Sequence, residues 1–249
     1  MVFAHGFGCD QHMWRGIEPT FRPEYRTVLF DHVGAGKSDL TAYDHARYDS
    51  LDGYTDDVVE LCRALDVRDA VFVGHSVSAM IGVLAAIRAP ERIGALVLIG
   101  PSPRYLDDDG SGYVGGFSKA DIVGLLDALD SNYLGWSSEM AQVIMGRPDR
   151  PELAAELEQS FCRTDPAIAG HFAEVTFLSD NRKDLPHVSV PTLVMQASQD
   201  AIAGPAVGRY VHGLIDGSEL VMLEATGHCP HLSAPDETIA AMLDFLDRS

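Results

Sequence analysis

Ten residues, VFVGHSVSAM at 71–80, constrain this chain more than any others. Val71-Phe72-Val73 reads as a buried strand. It runs into Gly74-His75-Ser76-Val77-Ser78, and an apolar helical pattern follows at once. Turning from strand to helix over so few residues needs a sharp bend, which Gly74 permits. The stretch differs at one position from Gly-x-Ser-x-Gly, the strand–turn–helix motif that lifts a serine hydroxyl above a parallel sheet. Ser78 stands where the second glycine would be. That glycine allows close helix–strand packing. Serine adds one CH2OH, so a slight widening would admit it, with the hydroxyl expected to bond locally.

The surrounding pattern supplies the sheet that such a turn requires. Short apolar strands are predicted at Val2–Ala4, Thr27–Asp31, Ala70–Gly74 and Ala95–Gly100. Between them, Leu51–Leu65 sets Tyr54, Val58, Leu61, Cys62 and Leu65 on one helical face, and Val77–Arg88 is apolar nearly all round. This β-α alternation predicts a mostly parallel sheet with helices on both faces. The rhythm stops at Pro101. Only helical periodicity appears near 117–129, 133–145, 151–162 and 165–179, with joints at Asp149-Arg150-Pro151 and Thr164-Asp165-Pro166. It resumes with strands at Thr192–Gln196 and Glu219–Leu223 and helices at Ala203–Leu214 and Asp236–Leu246. The expected organisation is one α/β core, 1–101 and 187–249, interrupted by a four-helix insertion at 102–186. No internal repeat or low-complexity segment is found.

Composition narrows the function classes. The 249 residues suit one domain, and the formal charge of −19 disfavours a nucleic-acid partner. No run of about 18 apolar residues exists, so no membrane span is expected. Cys9, Cys62, Cys162 and Cys229 are scattered without a Cys-x-x-Cys pair, which reads as free thiols in a reducing, cytoplasmic setting. Val2–Ala4 begins as a core strand with no lead-in and no signal-peptide pattern, so a leading segment is expected to be missing.

A serine hydroxyl becomes a useful nucleophile only when a base takes its proton and a carboxylate orients that base. The motif's usual chain order is serine, acid, histidine, each on a loop after a strand. Ser76 fits the first place, although a helix N-cap serine would also stand there. Asp200, in Gln-Ala-Ser-Gln-Asp-Ala-Ile, follows the Thr192 strand and fits the second. His228, in Glu-Ala-Thr-Gly-His-Cys-Pro-His, follows the Glu219 strand and fits the third. His231 competes but lies nearer the final helix and is assigned a structural role. An oxyanion hole needs two backbone N–H groups. Val77 supplies one, and Phe7, in His5-Gly6-Phe7-Gly8 after the first strand, the other.

Rival chemistries fit poorly. Val33-Gly34-Ala35-Gly36-Lys37-Ser38 has the end of a phosphate-binding loop, but Asp31 occupies the first glycine position and no helix start follows. That segment reads instead as a turn beside the site. His228-Cys229-Pro230-His231 lacks a second ligand pair at metal spacing, so no metal site and no cofactor are expected. A dehalogenase would want aspartate at position 76. A cofactor-free haloperoxidase side activity would share the triad and stays open.

The stretches HGFGCDQHMW (5–14), LFDHVGAGKSDL (29–40), FVGHSVSAM (72–80), GGFSKADIVGLL (115–126), NYLGW (132–136), RPDRPELAAELEQSFCRTDP (147–166) and GHCPHLSAPDETI (227–239) carry a resemblance that spans nearly the whole chain. The sequence resembles the α/β-hydrolase fold and, within it, the RsbQ-type bacterial stress-response hydrolases and the similar plant karrikin and strigolactone receptors. His75-Ser76-Val77-Ser78 is similar to the receptor-type turn. The resemblance implies that residues 102–186 form a helical lid over a small apolar pocket. By position, that pocket would be lined by Phe7, His75, Val77, Trp136, Phe161, Phe177 and Ile202. It also implies two further strands before the first one here, leaving a sheet edge open. The implied function is a carboxylesterase or lactonase acting on a small, mostly apolar ester or lactone. The alternative is a signalling protein that senses or makes a small hydrophobic molecule while a partner protein reads the lid.

Overall fold

Alternation of large apolar residues along the strands decides the architecture, as seen in a computed structural model that describes residues 1–248. Six strands form one sheet in the order β2-β1-β3-β4-β5-β6, every neighbouring pair parallel. They are β1 (Val2–Ala4), β2 (Val28–Phe30), β3 (Ala70–His75), β4 (Ile93–Ile99), β5 (Thr192–Gln199) and β6 (Glu219–Thr226). Successive side chains point to opposite faces of a strand. Phe3, Val73, Val97, Ile99 and Leu193 therefore enter one core cluster, and Val2, Ala4, Phe72, Leu96 and Val194 the other.

Helices cover both faces. On the Phe72 side lie α2 (Leu51–Ala64), α3 (Val77–Arg88) and α8 (Pro205–Leu214). On the Phe3 side lie a 3-10 segment at Gln11–Gly16, the short α1 (Glu18–Phe21), and α10 (Pro235–Leu246) after the short α9 (Pro230–Ser233). The insertion between β4 and β5 contains α4 (Lys119–Ser131), α5 (Tyr133–Met145), α6 (Pro151–Cys162) and α7 (Pro166–Leu178). The first of these helices begins at Lys119 rather than 117 because Ser118 and Asp121 form a reciprocal cap. Pro151 and Pro166 occupy first-turn positions of α6 and α7, where a missing N–H costs nothing. The two long C-terminal strands outrun the expected ends, so β5 stops one residue before Asp200 and β6 two before His228. No helix among the described residues is long and apolar enough to cross a membrane.

The contact that brings α3 down onto β3 lies at Gly74. A Cβ there would stand 2.4 Å from the Ser78 carbonyl oxygen, so only glycine allows the approach. Ser78 is fully buried, and its hydroxyl bonds across the fold rather than locally, contrary to the sequence expectation. It donates to the His5 carbonyl at 2.5 Å and lies 2.8 Å from His32 Nε2, so that ring nitrogen is the donor to it. The His32 N–H in turn donates to His5 Nε2 at 3.1 Å. Ser78 thus ties the loops leaving β1 and β2 to the start of α3, a role glycine could not fill. Ser78→Ala would leave two buried polar groups unpaired. It is expected to lower unfolding free energy by about 1–3 kcal/mol in urea titration with an unchanged m-value. An unchanged midpoint would show that this hydroxyl holds nothing.

Candidate active site

Ser76 sits between β3 and α3 with φ 57° and ψ −124°, a conformation that L-residues rarely adopt. Its N–H donates to the Ile99 carbonyl at 2.9 Å, which fixes the turn to the end of β4. The hydroxyl meets His228 Nε2 at 2.8 Å, and His228 Nδ1 meets Asp200 Oδ2 at 2.7 Å. The other carboxylate oxygen accepts the N–H groups of Ile202 at 2.8 Å and Ala203 at 3.0 Å. With Asp200 accepting from Nδ1–H, Nε2 presents its lone pair to the Ser76 hydroxyl. The three sequence candidates therefore form one hydrogen-bonded chain assembled from three strand ends.

The electrostatics suit that chain. Burial opposes ionisation of Asp200, but the His228 ring and the Ala203 and Ile202 N–H groups outweigh it and hold the carboxyl below its ordinary value. A carboxylate at Asp200 stabilises positive charge arising on His228 during proton transfer. The arrangement can deprotonate Ser76, store the proton on His228 and return it to a leaving group.

The histidine is also held by its backbone. His75 Nε2 donates to the His228 carbonyl at 2.8 Å. His75, Cys229 and His231 are the described residues whose possible metal-ligating atoms converge, within 4.8 Å of one another. The bond to the His228 carbonyl keeps a proton on His75 Nε2, which lies 3.8 Å from the Cys229 sulfur. His231 is fully buried in α9 against Trp14 and His75, at ring separations of 4.7 and 4.6 Å. Both of its ring nitrogens are buried without a partner among the described residues.

Above Ser76 lies a cavity of about 20 Å³. That is room for about one water molecule. Of the expected pocket residues, Phe7, His75, Trp136, Phe177 and Ile202 line it. Phe161 does not. Its ring fills the space beside Gly8, where a Cβ would lie 1.8 Å from it, and it packs edge-on to Trp136 at 5.2 Å, one layer behind the wall. Val77 also lies off the cavity surface. The N–H of Val77 is the first of α3 and has no acceptor in its own helix. The backbone N–H of Phe7, in the loop after β1, likewise has no acceptor among the described residues.

Several lining residues were not singled out from the sequence. Tyr105 places its hydroxyl 3.4 Å from Ser76 Oγ, and burial pushes its phenol up to about 12. Met140, Ile144 and Thr176 come from the insertion, and Cys9 and Cys229 from the core. Met140 and Ile144 stand four and eight residues after Trp136, so the helical spacing from Trp136 was the available signal. Nothing in the sequence marked Tyr105, which lies in an irregular segment after β4. Three buried polar atoms of lining residues, His75 Nδ1, Trp136 Nε1 and Thr176 Oγ1, have no partner among the described residues.

Comparison with known proteins shows the family and the fold. A family model described as "Alpha/beta hydrolase family" matches residues 1–241. The Karrikin insensitive 2 receptor CA of Petunia hybrida is 38% identical over 244 residues, covering 98% of this chain and 90% of that protein. Strigolactone esterase D14 of Arabidopsis thaliana is 38% identical over 250 residues, covering 100% of this chain and 91% of that protein. The solved structure of a hydrolase from Oleispira antarctica superimposes with a TM-score of 0.96 at 40% identity, covering 100% of this chain and 90% of its own.

The buried histidines around the site set an acid limit on stability. Burial holds the imidazoles of His5, His32, His75 and His231 below their ordinary value, His231 at about 3. In the unfolded chain each ring takes up a proton below a pH of about 6.5. The stability gained by keeping His231 neutral is therefore complete above that pH. It declines toward pH 3 by up to about 1.4 kcal/mol per pH unit. His231→Leu is expected to flatten the wild-type decline by that slope between about pH 6 and about pH 4, measured by denaturant titration at each pH. A slope equal to wild type would mean that the folded ring titrates normally.

Proposed function

Because the chain belongs to the alpha/beta hydrolase family, we propose that Ser76, His228 and Asp200 are its catalytic triad, cleaving a small, mostly apolar ester or lactone. The observation that carries this reading is the continuous Ser76–His228–Asp200 hydrogen-bond chain opening into a mostly apolar cavity. His228 takes the Ser76 proton as Oγ attacks the carbonyl carbon. The N–H groups of Phe7 and Val77 hold the oxyanion. Collapse of the tetrahedral intermediate expels the alcohol, which takes the proton from His228 and leaves an acyl-enzyme. Water, deprotonated by His228, then releases the acid. The cycle uses no metal and no cofactor.

The cavity wall supports the substrate class. Phe7, Phe177 and Ile202 offer apolar surface. The unpaired Trp136 Nε1 and Thr176 Oγ1 supply polar groups for a ligand carrying oxygen acceptors, as an ester or lactone does. Residues 102–186, in this reading, form a lid whose helices α5 and α7 roof Ser76.

A signalling role is the second reading, favoured by the relatives named as receptors and by the closed cavity. A ligand larger than water must move the aromatic wall, and a partner protein would read that displaced lid. Both readings share the triad and separate at one variant.

Purified protein is expected to hydrolyse p-nitrophenyl acetate, and Ser76→Ala and His228→Ala to lose about 10³-fold or more of kcat/KM. Full activity in either variant would remove the triad assignment. Ligand-dependent partner binding retained by Ser76→Ala would favour sensing, and its loss would tie signalling to turnover.

A further inference from the structure

The lid does more than roof the site. Its helix α5 ends against the loop that carries His228. The last carbonyls of a helix lack acceptor duty within it, and here the His228 N–H donates to the Ile144 carbonyl at 2.7 Å. The neighbouring Thr226 hydroxyl donates to the Gly146 carbonyl at 3.3 Å. The two chains meet through glycines. Gly227 has φ 85°, and a Cβ on it would stand 1.9 Å from the Met145 carbonyl oxygen. Gly146 has φ 57°, and a Cβ there would stand 2.9 Å from Gly227 Cα. Farther along, Arg147 and Arg150 both donate to the Ser233 carbonyl at the end of α9, at 3.3 and 3.4 Å. On its other side the His228 carbonyl is held by His75.

We propose that the C-terminal end of α5 is a positioning element for His228, so that the place of the lid sets the competence of the base. The inference rests on the reading of His228 as the catalytic base. The two peptide groups of His228 are gripped from opposite sides, the N–H by the insertion and the C=O by the serine turn. The same α5 carries Trp136, Met140 and Ile144 on the cavity wall. A ligand that pushes α5 outward therefore pulls on the histidine whose nitrogen must stay within hydrogen-bond reach of Ser76. Ile144 acts twice, its side chain on the cavity and its carbonyl on the base. Cavity filling and proton transfer become one coupled event.

The test alters the junction without touching the reacting groups. Gly227→Ala and Gly146→Ala are expected to lower kcat for p-nitrophenyl acetate by about 100-fold with KM nearly unchanged, since misplacement of about 1 Å has effects of that size. Labelling of Ser76 by a small fluorophosphonate should slow in parallel. Val143→Ala, on the exposed face of the same helix, should leave both rates at wild type. Folded Gly227→Ala protein with wild-type kcat would overturn the coupling. Retained activity in Ser76→Ala or His228→Ala would instead overturn the underlying reading of the site. Where the glycine variants fail to fold, amide exchange of wild-type protein decides. The His228 N–H should exchange at the rate of the last α5 amides, because both open together. Exchange in the slower class of the β5 and β6 amides would overturn the proposal.

Discussion

The site depends on one strained turn. Ser76 holds a positive φ that costs a non-glycine residue about 1–3 kcal/mol. Three things sustain it. Its N–H is fixed to the end of β4, Gly74 lets α3 settle on β3, and Val77–Ala86 are buried throughout. The strain stands the hydroxyl clear of the sheet, where the ends of strands β5 and β6 bring Asp200 and His228 to it.

Much of this was legible in the sequence, for a physical reason. Chemistry carried by the ends of strands is tied to short-range patterns: an apolar run, a glycine, then a polar residue. Ser76 and His228 stand in that context, Asp200 follows its strand without the glycine, and Pro151 and Pro166 mark the starts of two insertion helices. What escaped lies across the fold. Ser78 bonds to His5 and His32, residues 73 and 46 positions away, so no local reading could assign its partners. Tyr105 reaches Ser76 from a segment without periodicity. Phe161 has the composition of a pocket residue, yet Gly8 leaves a hollow that its ring fills instead.

The aromatic wall explains why the cavity is small. Phe7 is in ring contact with Trp136, Phe161, Phe172 and Phe177 at 5.6 to 6.4 Å, joining the core loop to three lid helices. Such pairs prefer tilted or edge-on geometry, and together they form an apolar plug above Ser76. Phe7, whose backbone N–H is proposed to hold the oxyanion, thereby closes the pocket with its side chain.

The all-parallel sheet has a consequence for how activity arises at all. Every strand pairing here needs a long crossover, and the pairing of β4 with β5 must wait for the whole helical insertion between them. Such distant contacts form slowly. His228 comes after the last strand, and its backbone is gripped by residues made much earlier. In the proposed triad, a ribosome-bound or half-folded chain thus carries Ser76 with no base beside it. Under that reading the order of synthesis acts as a safety catch, keeping the hydroxyl silent until His228 has been made and docked.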